Sequence, residues 1–225
     1  MIDGGVFQGE AALTVLSPLA PLRFEAKQTV MFLDGPVLRG DEKNSLAVPE
    51  KRRVSLSMNE VFCWTRSPLL CISGPSAVSP VFPLNGGAGR EISAEFNRCF
   101  LVLDEQPVAE VPFPLPEEEG EFKPNWKMTE NLLANVTELF RFAGDSAAGL
   151  SPAGQNGETQ NGEPDSALSF SNDNIRFHLD LPDRPLWNIS REEAESGIFN
   201  QARKNLESEI GRGWLESLVS SLASR

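Results

Sequence analysis

The chain has 225 residues and a net charge of −12, with 40% hydrophobic and 23% charged residues. A chain of this length can bury a core without disulfides or a structural metal, and its composition excludes a collagen-like chain, a coiled coil and wholesale disorder. The apolar runs are only a few residues long, against the ~20 residues of a membrane helix, and the segment after Met1 lacks the pattern of a secretory signal. We therefore expect a soluble, cytoplasmic protein with no membrane partner.

The negative charge is concentrated in two segments. Residues 1–103 hold ten acidic and ten basic side chains, so that this half of the chain is neutral. Residues 104–121 hold seven acidic side chains and no basic one, and residues 144–174 hold five acidic side chains and no basic one. Because the acidity belongs to connecting segments, it does not by itself prevent the folded part from binding an acidic partner.

Residues 1–115 have the pattern of an antiparallel β domain. Segments rich in Val, Leu, Phe, Thr and Ile, bounded by Gly, Pro, Asp or Asn, cover residues 6–16, 22–33, 54–64, 68–72 and 92–103. Polar and apolar residues alternate over residues 23–27, as in a sheet with one face in water. We expect a sandwich or a partly open barrel, with turns at motifs such as Asp34-Gly35-Pro36.

The sequence pattern of residues 116–143 predicts an acidic connection followed by a first helix. Thr129 suits a helix N-cap, and the apolar residues between Leu132 and Phe140 recur with the spacing of one helix face. Residues 144–174 are rich in Gly, Ser, Asn and acidic residues, a composition that predicts a flexible acidic loop.

Residues 175–225 predict a strand followed by C-terminal amphipathic helices. Apolar and polar residues alternate strictly over residues 175–181, which is the clearest strand pattern in the chain. Ser190-Arg191-Glu192-Glu193 is a capping box that begins a long helix, which Gly211 and Gly213 are expected to interrupt. The predicted fold class is α+β, an antiparallel β-rich region followed by two strand–helix elements.

A short internal similarity links the two predicted helix starts. Residues 123–129 and 184–190 share the order base, Pro, any residue, Trp, any residue, apolar residue, hydroxyl. In each segment the hydroxyl can cap a helix, and the Trp can cover the junction of that helix with a sheet. Two related strand–helix units would explain the match, and so would chance convergence of helix-start chemistry.

Few residues suit catalysis or cofactor binding. His178 is the only histidine, and no Gly-x-Ser-x-Gly elbow accompanies it, so a serine triad is not expected. The three cysteines, Cys63, Cys71 and Cys99, include no closely spaced pair of metal ligands, and the apolar neighbours of the first two raise a thiol pKa rather than activate the thiol. The sequence predicts no catalytic, cofactor-binding or metal-binding residue, and no cofactor.

The exclusion of most catalytic arrangements favours a non-enzymatic protein-interaction or assembly protein. Its candidate surface for a protein partner, or for self-association into an oligomer, is the C-terminal amphipathic stripe of Trp214, Leu215, Leu218, Val219 and Leu222. The same stripe also fits a helix that packs on the sheet of its own chain.

Two other functions remain open at this point. The basic cluster of Lys51, Arg52 and Arg53 predicts a nucleic-acid patch on the β domain, for which the acidic loops would compete, although three charges are fewer than firm binding needs. A hydrolase with paired carboxylates is the other alternative, because such pairs form in space and leave no sequence motif.

Overall fold

The computed structural model describes residues 1–16, 22–41, 53–73, 91–111, 125–142, 174–183 and 185–223. These residues form three β-sheets, here named A, B and C, and a C-terminal layer of helices. The first fifteen described strands enter sheets A, B and C in turn, so that neighbours within a sheet are three strands apart in the chain, and the sixteenth strand joins sheet B. The chain is therefore a parallel β-solenoid, in which each turn contributes one strand to each sheet.

Each sheet is a stack of short strands. Sheet A contains β1 (Ile2–Asp3), β4 (Leu22–Lys27), β7 (Arg53–Asn59), β10 (Glu91–Asn97) and β13 (Asn125–Thr129). Sheet B contains β2 (Val6–Gly9), β5 (Val30–Leu33), β8 (Phe62–Thr65), β11 (Phe100–Gln106), β14 (Leu132–Val136) and β16 (Ile175–Phe177). Sheet C contains β3 (Thr14–Leu16), β6 (Leu38–Asp41), β9 (Leu70–Ser73), β12 (Ala109–Val111) and β15 (Phe140–Phe142).

The expected antiparallel sandwich or barrel is wrong. All thirteen strand pairings among the described residues are parallel. The five predicted segments do contain strands, but residues 6–16, 22–33, 54–64 and 92–103 each form two strands with a corner between them. The strand expected over residues 175–181 is limited to β16 (Ile175–Phe177). Alternation reports which face a side chain occupies and says nothing about the direction of the neighbouring strand. The continuous apolar run of β5, buried at all four positions, is the pattern typical of a parallel sheet covered on both faces.

Residues 129–140 form strands and not the expected first helix. β13 ends at Thr129, and β14 follows after a corner. Leu132 and Leu133 are both buried because β14 has the solenoid core on one face and the helical layer on the other. Two adjacent buried positions imitate the apolar spacing of a helix. The two Pro-x-Trp segments also differ, since Trp126 lies in β13 whereas Leu186–Asn188 forms a 3₁₀ turn.

A left-handed backbone residue marks the corner between sheets A and B in successive turns. These residues are Gly4, Gln28, Glu60, Arg98 and Glu130, with φ angles of 74°, 47°, 54°, 52° and 55°. Each directly follows the last residue of a sheet A strand, and those last residues are paired with one another across the sheet. The backbone ladder continues through the corner: the Gln28 N–H donates to the Asn59 carbonyl at 3.0 Å. A single left-handed residue thus turns the chain while its N–H group stays paired.

The two faces of sheet B are both buried, and the outer face of sheet A is polar. Phe62 and Phe100, on the outer face of sheet B, lie 4.8 Å and 6.0 Å from Phe199 of the helical layer, measured between ring centroids. On the outer face of sheet A the side chains of Ser55 and Ser57 are only half-buried. The C-terminal helices therefore stabilise the solenoid on one side.

The helical layer begins at the capping box that the sequence indicates. Its elements are α1 (Arg191–Ala194), a π-helical turn (Glu195–Phe199), α2 (Asn200–Asn205) and α3 (Glu209–Ala223). The Ser190 N–H donates to Glu193 Oε2 at 2.9 Å, and the Glu193 N–H donates to Ser190 Oγ at 3.1 Å, which confirms the box.

The break between α2 and α3 precedes the expected glycines. Gly211 lies inside α3, where a Cβ would stand 2.8 Å from Ile175 Cδ1, so this glycine allows α3 to approach β16. Among the described residues, no helix is long and apolar enough to cross a membrane.

Candidate functional site

The apolar stripe of α3 lies inside the protein. Leu215, Leu218 and Leu222 are buried in the cluster that joins the helical layer to the outer face of sheet B, and Trp214 and Val219 pack against that cluster at its edge. The side chains named as a partner surface are thus used within the chain, where they cover its own sheet.

The other basic and titratable candidates do not assemble into a site. Lys51 and Arg52 lie outside the described residues, and Arg53 is the first residue of β7. His178 is exposed, with its Nε2 4.0 Å from Asp180 Oδ1. No group of three or more His, Cys, Asp or Glu side chains that suits a metal occurs within the ranges that the structure describes.

The cysteines have the character of structural thiols. Cys63 and Cys99 are buried and unpaired, and burial raises the pKa of both thiols, that of Cys99 to about 12. Burial also raises the pKa of the half-buried Cys71, and the carboxylate of Glu110 adds to that rise. Thiols with raised pKa values are poor nucleophiles at neutral pH.

Two carboxylates among the described residues lie near the guanidinium group of Arg66. Asp34 Oδ1 and Asp104 Oδ2 lie 3.8 Å and 3.7 Å from Arg66 Nε, at successive turns of the corner between sheets B and C. The Arg66 Nη2 group also donates to the Pro182 carbonyl at 3.1 Å. This arrangement is an ion cluster that fastens the C-terminal segment to the solenoid.

A half-open cleft lies between sheet B and the helical layer, and its volume is about 300 Å³. The apolar part of its lining comes from the outer face of β8, from the segment after β16 and from the helical layer: Trp64, Leu181, Pro182, Ile189 and Ile198. The remaining lining residues are Asp180, Glu193, Gly197 and Gln201. A mostly apolar cavity with a few polar groups at fixed positions is typical of ligand sites.

Hydrogen bonds to the solenoid fix one wall of the cleft. Besides the bond from Arg66 to Pro182, the Leu186 N–H donates to Asp34 Oδ1 at 3.1 Å. The Gln8 side chain donates to the Ile189 carbonyl at 2.6 Å. Because these partners belong to the rigid turns of the solenoid, the wall is held in place.

Hydrogen bonds to α2 fix the acidic side of the cleft. The Asp180 N–H donates to Gln201 Oε1 at 3.2 Å, and Asn205 Nδ2 donates to the His178 carbonyl at 2.6 Å. The Leu179 N–H donates to Asn135 Oδ1 at 2.8 Å, which ties the same segment to β14. The carboxylate of Asp180 therefore stands at the cleft on a backbone that is held from both layers.

The wall formed by Trp64 includes a buried donor without a partner. Trp64 is 1% exposed, and its indole Nε1–H makes no hydrogen bond. A buried donor without an acceptor costs ~1–3 kcal/mol. Trp126 Nε1 is also unpaired, but it lies inside the solenoid. Trp64 differs in that its side chain is among the residues that line the cleft, although its Nε1 atom is itself buried.

The π-helical turn opens the cleft. Gly197 lies in this turn, and a Cβ added to it would meet no atom within 4 Å. Single π-helical turns inside helices occur often at functional sites. Because a Cβ at Gly197 meets no atom, a larger side chain can be placed at this position of the cleft lining without strain.

A second depression is larger but less suited to a ligand. Its volume is about 410 Å³, and it is wide open between β11 and β16. The guanidinium of Arg176 in its wall donates a hydrogen bond to the Val136 carbonyl at 2.5 Å, so this side chain ties β16 to the end of β14. We therefore take the cleft beside Trp64 as the candidate functional site.

No sequence motif indicates this cleft as a whole, because its residues come from three separate parts of the chain. Only the capping box around Glu193 was visible as a motif. No family model, curated protein or solved structure matches the chain. The function is therefore inferred from the chemistry of the cleft.

Proposed function

We propose that the chain is a non-enzymatic protein-interaction module that binds a segment of a partner protein in the cleft between sheet B and the helical layer. The observation that carries the proposal is the cleft itself, whose lining is mostly apolar and whose walls are held by hydrogen bonds to the solenoid and to α2. A peptide segment suits such a cleft, since its apolar side chains pack on the walls and its backbone groups bond to the polar residues of the lining.

The polar groups of the cleft favour binding over catalysis. Asp180 and Gln201 are joined through a backbone N–H, and Glu193 closes the capping box. Neither carboxylate has a neighbouring nucleophile in the lining, which contains no Ser, Cys, Lys or His among the described residues. The carboxylates of Asp180 and Glu193 would also repel a phosphate backbone, so a nucleic acid is a poor occupant.

The proposed compartment of the protein is the cytoplasm. Cys63, Cys71 and Cys99 are all unpaired, which fits a reducing environment. The partner is a protein and the proposal needs no membrane or cofactor.

A peptide library panned against the full chain tests the proposal. Enriched peptides are synthesised and titrated against the wild type, Gly197→Leu and the matched control Gly197→Ala. Since a Cβ at Gly197 meets no atom, the Ala variant should bind as the wild type does, and the Leu variant should bind at least about tenfold more weakly because its side chain occupies the cleft. Equal binding to all three proteins, or the absence of any enriched peptide, would contradict the proposal.

A further inference from the structure

We infer that the partner segment also pairs, as an added strand, with the open edge of β2 (Val6–Gly9) and places an apolar side chain over Phe7. This inference rests on the proposed function, and it adds the conformation of the bound segment and a second surface that holds it.

Strand β2 has free backbone groups along one side. It is the last strand of sheet B at one edge and pairs with β5 on its other side. The Gly5 carbonyl accepts the Val30 N–H at 3.0 Å, so the backbone of Gly5 faces β5. Because backbone groups alternate along a strand, those of Val6 and Gln8 face away from β5, and they have no partner among the described residues. The edge therefore offers two N–H groups and two carbonyls to another strand.

The edge of β2 lacks the features that usually protect edge strands. Val6–Gly9 contains no charged residue and no proline, and Val6 is 44% exposed. At the opposite edge of sheet B, β16 carries Arg176, whose guanidinium donates to the Val136 carbonyl. Charged residues and prolines are common means of preventing an edge strand from pairing with another chain. β2 is therefore suited to pair with an extended segment of a partner.

The side chains inside the solenoid favour an apolar residue in the added strand. Phe7 packs against the core but is only partly buried. The residues that continue its column in the following turns are at most 1% exposed: Met31, Cys63, Leu101 and Leu133. The column is thus closed at Leu133 and open at Phe7. An apolar side chain of the added strand would remove this surface from water.

The edge lies beside the cleft. Gln8, Phe32 and Trp64 form one row across the outer face of sheet B, and the Gln8 side chain donates to the carbonyl of Ile189, which lines the cleft. Since neighbouring strands are ~4.8 Å apart, an added strand would lie about 15 Å from β8. About five extended residues span this distance, so one partner segment can reach both surfaces.

The size of the edge favours a partner segment over a second copy of the chain. The first strands of the three sheets have two, four and three residues. A stable interface uses about 20–30 residues on each side, far more than two such ends could bring together. A segment that also fills the cleft adds the contacts that the edge lacks.

Amide hydrogen exchange of the full chain tests the inference, with and without a library-selected peptide. The N–H groups of Val6 and Gln8, which have no acceptor among the described residues, should exchange rapidly in the free protein. We expect the bound peptide to slow both by at least about tenfold. The Phe7 N–H faces β5 and is the internal control, since it should be protected before the peptide is added.

Two substitutions at Val6 provide a second measurement. Val6→Pro removes the N–H at the open edge and no bond to β5, and Val6→Ala keeps that N–H. The first should weaken the selected peptide at least about tenfold, and the second by no more than about threefold. Unchanged exchange at Val6 and Gln8, equal binding by Val6→Pro, or a dimer of the free chain that Val6→Pro dissociates in light scattering would overturn the inference. If the peptide still binds and Gly197→Leu still blocks it, the proposed function stands and only the strand pairing is wrong.

Discussion

The assignment of α3 to the core predicts a large difference between two substitutions in the same helix. Leu215 is 0% exposed and packs in the cluster on the outer face of sheet B, whereas Ile210 is 65% exposed. Truncating a fully buried leucine to alanine costs ~2–5 kcal/mol. Truncating a mostly exposed apolar side chain changes the free energy of unfolding by about 0.5 kcal/mol or less. Leu215→Ala should therefore be far less stable than Ile210→Ala.

Urea unfolding measured by fluorescence and by circular dichroism checks this difference. With a slope of ~1–3 kcal/mol per M, the midpoint for Leu215→Ala should fall by about 1–2 M, and that for Ile210→Ala should stay near the wild-type value. Gel filtration with light scattering of the Leu215→Ala protein is the second readout. If Leu215→Ala keeps wild-type stability and instead loses an oligomer, the stripe is a surface for another molecule and the packing described above is refuted.

Four further predictions concern the backbone and the thiols. Gly35→Ala should lower stability by ~1–3 kcal/mol, because its Cβ would stand 2.6 Å from a backbone carbon of the preceding turn, while Gly9→Ala, with open space around it, should be nearly neutral in the same urea assay. Glu105 has a φ of 52°, in the left-handed region that glycine adopts without strain. Glu105→Gly should therefore be at least as stable as the wild type, and Glu105→Val should be less stable by ~1–2 kcal/mol. Equal urea midpoints of the two variants would count against the left-handed conformation. A thiol reagent at pH 8 should modify Cys71 first, more slowly than a free cysteine, and Cys99 only after unfolding, whereas rapid native reaction of all thiols would contradict their burial. Because burial raises the pKa of Cys99 from 9.0 to about 12, its contribution to stability is complete below pH 9 and is lost as the pH rises from there towards 12.

Most strands of residues 1–103 could be predicted from the sequence, but β14 was taken for a helix, and the solenoid was missed because its turns differ in length. The paired residues Val30, Phe62, Phe100 and Leu132 follow one another at intervals of 32, 38 and 32 residues. The interval varies mainly because the connections from sheet C to the next strand of sheet A differ in length. β11 also contains one extra residue, where its register with β14 shifts. A search at a fixed period therefore fails, although each turn repeats an alternating strand, a polar corner and an apolar run.

The similarity between residues 123–129 and 184–190 was misleading for a related reason. Trp126 of the first segment lies in β13, whereas Leu186–Asn188 of the second forms a 3₁₀ turn before the helical layer, so the shared order does not mark two helix starts. The true repeat partner of Trp126 is Ala94, its neighbour in β10, a pair of very different residues. The inward column that contains this pair runs through Phe24, Leu56, Ala94 and Trp126, so the residue type changes from turn to turn although every position is apolar.

The start of the helical layer was predictable and the cleft was not. The capping box at Ser190 is a local motif whose hydrogen bonds depend on four adjacent residues. The cleft depends on contacts between Trp64, the segment around Asp180 and a π-helical turn at Gly197. No local sequence pattern predicts the π-helical turn, because the apolar residues of this segment have the spacing of an ordinary helix.

The indole N–H signals of an ¹⁵N-labelled full chain test the central claim most directly. The chain has four tryptophans, and among them Trp64 lines the cleft while Trp126 lies inside the solenoid with its Nε1 equally unpaired. When a library-selected peptide is added, the account predicts that the Trp64 indole signal shifts and that the Trp126 signal stays in place. A bound peptide that leaves the Trp64 signal unchanged would contradict it.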